Sequence, residues 1–188
     1  MSGHSRAHDD EARSRSIVDA SSRILILGTL PGEESLRLQH YYSHGRNDFW
    51  TILSRVYDEA VGSDYDERLT FLHRHGIAVW DVLLSADRRG STDSAIKNPI
   101  PNDFGPFFAK HPHLRSIGLN GAKAEDYFLR LVAKQPGVPT SLRIARLPSS
   151  SPAAGRYVPG LDEKVAQWKA FLMPTPQPAQ RSSPPSTC

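Results

Sequence analysis

The chain has 188 residues, 38% of them hydrophobic and 23% charged, which suits one globular domain with a core of ordinary size and calls for no second. It contains no run of about 18 apolar residues and no apolar segment behind a basic start, so neither a membrane span nor a secretory leader is expected, and a soluble cytoplasmic protein is. Its one cysteine, Cys188, excludes intramolecular disulfides and cysteine-built metal cages, while a net charge of +3 is compatible with nucleic acid without pointing to it.

In chain order, residues 1–16 are polar and aperiodic and read as a disordered arm. The apolar stretch RILIL, residues 23–27, reads as a strand that stops at the turn GTLPG (28–32), opens a helical segment and reaches YYSHGRNDFW (41–50). Helices are expected over 48–57 and 66–75, and a strand over 77–84 (IAVWDVLL). A third strand is expected at 116–121, a helix at 122–134, a fourth strand at 141–147 and a last helix at 161–172. From residue 174 the chain is rich in Pro, Ser and Gln and reads as a disordered tail, which leaves 17–173 as the folded domain. Near-continuous apolar strands alternating with helices predict an α/β fold with a central parallel sheet covered on both faces.

In such a sheet a ligand binds beyond the carboxyl ends of the strands. The loops that follow the strands are GTLPGEESL, SADRRGSTDSAIKNPIP, NGAKAED and PSSSPAAGRY. Their glycines let backbone approach a ligand, and their serines, Asn120 and the pair Arg88 and Arg89 can hold phosphate oxygens. Any one of these loops can be an ordinary turn; four at one edge favour a site. The first turn has neither the GxGxxG of a dinucleotide fold nor the GK[ST] of a P-loop, and no GxSxG elbow accompanies the histidines and aspartates. His73/His75 and His111/His113 lack a carboxylate at a ligand interval, so no metal is expected. Asn47, set among aromatics, is a neutral polar reagent, although Asn before a helix start equally suits an N-cap worth about 1 kcal/mol. Asp81, a carboxylate inside an apolar strand, is costly unless paired, which favours a functional or hydrogen-bonded role over chance.

The order GTLPGEESL, QHYYSHGRNDFW, VWDVLLSADRRGSTDSAI, GLNGAKAEDYF and LPSSSPA resembles the uracil-DNA glycosylase superfamily, and within it the sixth family, the hypoxanthine-DNA (deoxyinosine) glycosylases. The resemblance runs over residues 24–168 and implies a three-layer αβα domain with a four-stranded parallel sheet. It implies hydrolysis of the N-glycosidic bond of a deaminated base flipped out of DNA, hypoxanthine first, with no cofactor, no metal and a monomer acting on DNA. Mismatch-type removal of uracil or xanthine, and an inert DNA-binding homologue, are the alternatives; composition alone also admits a nucleoside hydrolase.

Carried over by position, Gly28, Thr29, Leu30, Pro31 and Gly32 match the first superfamily motif, but no Asn or Asp stands there to place a water. The sixth family is similar in this and implies Asn47, of the N-x-FW segment, as the catalytic residue. Gly45 stands where relatives commonly carry proline, which loosens the turn before Asn47. The second motif corresponds to Leu147, Pro148, Ser149, Ser150, Ser151, Pro152 and Ala153, with Leu147 replacing a histidine, which speaks against an efficient general uracil glycosylase. Tyr41, Tyr42 and Phe49 are expected as the base platform, Asp81 as acceptor of the purine N1–H, and Asn98 and Asn120 as weaker pocket candidates. Arg46, Arg88, Arg89, Lys97, Lys123, Arg156 and Ser149 to Ser151 are expected to hold DNA, with Tyr157 or Arg156 as a wedge.

Overall fold

A computed structural model describes residues 16–87, 96–152 and 159–174. Four strands form one parallel sheet: β1 (Ile24–Gly28), β2 (Ile77–Asp81), β5 (Ser116–Asn120) and β6 (Arg143–Leu147), in the order β2-β1-β5-β6. All four carboxyl ends therefore lie along one edge. The chain moves from β1 to one neighbour, β2, and later returns to the other side of β1 as β5, so the topological reversal, where ligands bind in such sheets, falls at the end of β1, at Gly28. The register sets Gly28 beside Asp81 on one side and Leu27 beside Leu119 on the other, bringing the last residues of three strands together.

Alternation along β1 explains why both faces must be covered. Ile26 packs with helices α2 (Phe49–Tyr57), α3 (Tyr65–Arg74) and α6 (Leu161–Leu172), whereas Leu25 and Leu27 pack with α4 (Phe104–Lys110) and α5 (Ala122–Tyr127). In α2, Phe49, Trp50, Ile52, Leu53 and Val56 recur at three- and four-residue spacing and are all buried. Helix α3 starts on a reciprocal capping box, Asp64 accepting from the Glu67 N–H and Glu67 reaching back to residue 64.

The parallel sheet and the αβα layering agree with the expectation; several boundaries do not. The segment after the first turn is not helical throughout: α1 (Glu33–Leu38) ends at Gln39, whose φ of 55° breaks it, and the chain is irregular from there to Asp48. The apolar run 77–84 is two strands. After Asp81 the N–H groups of Val82 and Leu83 bond to the carbonyls of Gly28 and Thr29, and the chain departs as β3 (Leu83–Asp87) to pair antiparallel with β4 (Lys97–Pro101). The helix expected over 122–134 becomes a π-helical turn at Phe128–Val132, where Ala133 N–H bonds to Phe128 O and both Phe128 and Val132 are buried. The short helix α4 was not anticipated. Both tails, and Arg88, Arg89, Arg156 and Tyr157, lie outside the described residues.

Candidate active site

The site grows from the ends of β1, β2 and β5. Because Gly28 and Asp81 are register partners, the Asp81 side chain lies across Gly28: a Cβ built there would stand 2.5 Å from Asp81 Oδ1 and 3.4 Å from the Tyr42 hydroxyl. Glycine is therefore required at this position by space. The same figures show a carboxylate and a phenol converging on one point at the sheet edge. Asp81 is 5% exposed, and its backbone carbonyl accepts from the buried Asn102 Nδ2 at 2.8 Å, which fixes the strand end. Thr29 is buried, Leu30 packs on the α4/α5 core, and Pro31 and Gly32 lead into α1.

Asn120, at the end of β5, locks the other side. Its Oδ1 accepts from Ser150 N–H at 2.9 Å, and its Nδ2 lies 2.9 Å from Ser150 Oγ and 3.1 Å from the Tyr42 hydroxyl. Both ends of the amide are thus committed, so its orientation is set by three partners. Gly121 follows with φ 99°, a conformation that favours glycine, and its missing Cβ leaves room for Ser149. Ser150 is fully buried and bonds inward, which corrects the expectation that it faces phosphate; Ser149 and Ser151 remain half-buried at the rim, Ser149 Oγ accepting from Ser151 N–H.

Tyr42 is the aromatic that reaches this cluster. It has φ 54°, a left-handed conformation that costs a non-glycine residue about 1–3 kcal/mol and persists only when its surroundings impose it. Those surroundings are the Asn120 bond and a stack on Phe49, with ring centroids 3.8 Å apart. Phe49 is 0% exposed and Tyr41 5%, so both belong to the core in this structure and neither presents an open face for the platform role expected of them; Tyr42 alone of the three is half-buried. The Tyr41 N–H donates to the Tyr65 hydroxyl.

Asn47 sits one residue before the α2 N-cap, Asp48. Its Oδ1 accepts from Phe49 N–H at 3.0 Å, a local bond beside the helix start, while the N-cap position that the alternative reading gave Asn47 is held by Asp48. An amide carbonyl has two lone pairs, and among the described residues nothing pairs Asn47 Nδ2. Asp48, an adjacent carboxylate of the kind that can serve as a general base, makes no side-chain cap; its carboxylate is 2.6 Å from Lys164 Nζ on α6. The turn before Asn47 closes through Asn47 N–H to His44 O. Arg46 is exposed on that turn, and Lys123 is exposed at the start of α5. Lys97 and Asn98 lie on exposed β4, where Asn98 bonds Asp87, and are not brought to the cluster.

The profile of the uracil DNA glycosylase superfamily matches residues 16–187. The chain belongs to that superfamily. It is 35% identical over 157 residues to a hypoxanthine DNA glycosylase of Methanosarcina acetivorans, covering 83% of this chain and 94% of the relative. A hypoxanthine DNA glycosylase of Methanosarcina barkeri is 38% identical over 112 residues, 59% of this chain and 71% of that one. The fold superposes with a TM-score of 0.71 and 33% identity on the solution NMR structure of a Methanosarcina acetivorans protein assigned as a uracil DNA glycosylase, over 86% of this chain and 96% of the other. Within this superfamily frame, sequence reasoning missed Asn102, Ser150 as a buried tether and Lys164. A buried lysine in an amphipathic helix leaves a trace, since it falls on the apolar face with Trp168 and Phe171; Asn102 in PND reads only as a turn.

Proposed function

We propose that this chain is a monofunctional DNA glycosylase that hydrolyses the N-glycosidic bond of deaminated bases in DNA, with hypoxanthine as the main substrate. The convergence of Asp81 and Tyr42 over Gly28 carries the reading, in a chain more than a third identical to a hypoxanthine DNA glycosylase. A flipped purine needs a ring face and partners for its Watson–Crick edge. Tyr42 offers the face, and the Asp81 carboxylate, an acceptor, suits N1–H, which hypoxanthine has and adenine lacks. Adenine would present a bare N1 to that carboxylate, two acceptors facing each other.

In the reaction a water oxygen bonds to C1′ while the C1′–N9 electron pair leaves with the base, which takes up a proton as the water gives one to solvent. Charge develops as a cation on the sugar and an anion on the purine. Asn47 is the residue proposed to act: its carbonyl accepts from the water and faces the sugar cation, while its free Nδ2 can donate to the base. Asp48 is held by Lys164, which supports leaving it out of the chemistry. Arg46, Ser149 and Ser151 border the pocket as phosphate partners, and the expected contributions of Arg88, Arg89 and Arg156 belong to the same proposal. We take the protein to act as a cytoplasmic monomer without cofactor or metal; among the described residues no helix is long and apolar enough to cross a membrane.

Asn47→Ala tests this reading on duplexes carrying hypoxanthine, uracil or xanthine. Excision should fall by about 10²-fold or more, with stability lowered only by the lost bond from Phe49 N–H to Asn47 Oδ1, about 1 kcal/mol, and DNA binding kept. Wild-type excision by the variant would remove Asn47 from the mechanism. Salt-sensitive binding by the unaltered protein with no abasic product on any lesion would make it an inert DNA-binding homologue.

A further inference from the structure

Residue 48 is anchored through every polar group it has. Its N–H donates to Ser150 O at 2.9 Å, its C=O accepts from Ile52 N–H at 2.7 Å, and its carboxylate meets Lys164 Nζ at 2.6 Å. The first bond ties it to the loop whose Ser150 locks Asn120, and the last ties it to α6. The same helix reaches this loop again through Trp168 Nε1 to Pro148 O at 3.0 Å, with the Trp168 ring edge-on to Phe49.

The lysine is not where helix stability would put it. Lys164 lies near the N-terminus of α6, where the helix dipole disfavours a cation and where Asp162 and Glu163 already satisfy it. Its side chain is 3% exposed against 35% for Asp48, and a buried ion pair stabilises a fold no better than apolar side chains of the same volume. One use such a pair can have is to fix the register of the elements it joins. On the other side of Asn47, the turn contains Gly45, at which a Cβ would meet nothing within 4 Å among the described residues, and the turn closes through local bonds to His44, Asn47 N–H to His44 O and Arg46 N–H to His44 Nδ1.

We propose that Lys164 is a positioning residue for Asn47: through Asp48 it fixes the α2 start against α6 and so sets the Asn47 side chain over the sugar. The proposal rests on the catalytic reading of Asn47 above. Lys164 touches neither substrate nor water in this scheme; it acts through residue 48. Because Asp48 is partly exposed, water can solvate its carboxylate when the lysine is removed.

The test uses the full chain, with Lys164→Met, Lys164→Arg and Asp48→Asn, in single-turnover excision from a hypoxanthine duplex. Lys164→Met should lower the rate constant by about 10- to 100-fold while the Kd for the duplex moves by less than about twofold, and Lys164→Arg should recover most of the rate. The Asn47 side-chain NH2 pair in a 15N–1H spectrum should shift and broaden in Lys164→Met while the amides of β1 stay in place. Asp48→Asn keeps both backbone bonds and removes the charge, and should reproduce the rate loss if Lys164→Met does not fold. Wild-type rates in Lys164→Met or Asp48→Asn, or an unmoved Asn47 signal, would overturn the proposal. An active Asn47→Ala protein would instead bring down the catalytic reading beneath it, so the two failures are separable.

Discussion

Gly28→Ala probes the centre of the pocket with one methyl group. The new Cβ would stand 2.5 Å from Asp81 Oδ1, and since such contacts do not close below 3.0 Å, the carboxylate must retreat by about half an ångström or more. It has little room: Asp81 is 5% exposed and its main chain is held in register with Gly28 and bonded to Asn102. Backbone strain adds nothing, because Gly28 is not among the residues with positive φ. Overpacking of this kind costs about 1–3 kcal/mol of stability. If Asp81 reads the base as proposed, misplacing it by about half to one ångström should lower kcat/KM for hypoxanthine by about 10- to 100-fold, equivalent to about 1.4–2.7 kcal/mol. Single-turnover excision and urea unfolding measure the two effects. A double-mutant cycle isolates the contact: with Asp81→Ala in place the collision is gone, and adding Gly28→Ala should then cost under about 0.5 kcal/mol. Wild-type excision by Gly28→Ala, or a stability loss unchanged by truncating Asp81, would refute the account of the pocket.

Asn120→Ala leaves the buried Ser150 N–H without its acceptor and removes the amide that meets the Tyr42 hydroxyl, at a cost of about 1–3 kcal/mol. Calorimetry should show melting lowered by several degrees, and a change within experimental scatter would mean that the tether does not hold the loop. Burial pushes the Tyr57 phenol up to about 12 from 10.0. The unfolded chain therefore deprotonates first on alkalinisation, so this contribution is intact below pH 10 and is lost as the pH rises toward 12. Tyr57→Phe should flatten that part of the decline in urea midpoints measured at pH 9, 10 and 11; parallel curves for the two proteins would contradict it.

Much of this was legible along the chain because it depends on local order. RILIL, IAVWD and SIGLN are near-continuous apolar runs, polar only at their ends, which a strand tolerates only when both faces are covered, and the glycine-rich loops after them mark the carboxyl edge. Asp81 stood out as a charge within such a strand. The breaks were not legible: Val82 looks like a continuation of β2, and only the claims of the Gly28 and Thr29 carbonyls on Val82 and Leu83 turn the chain away into β3.

What the sequence by itself determined is the class of fold, the edge that carries the candidate site and the residue types that gather there, since hydrophobic periodicity and turn chemistry act over a few residues. Which of those residues face the pocket was decided by tertiary structure. Tyr41, Tyr42 and Phe49 are near neighbours of similar character, yet a left-handed turn at residue 42, imposed by Asn120 and by the stack on Phe49, sends one of them into the crevice and leaves two in the core. The bonds that hold the site, Asn120 to Ser150 and Asp48 to Lys164, join residues 30 and 116 positions apart. Contacts of that separation have no periodicity along the chain, and they exist only once the sheet and α6 have closed around them.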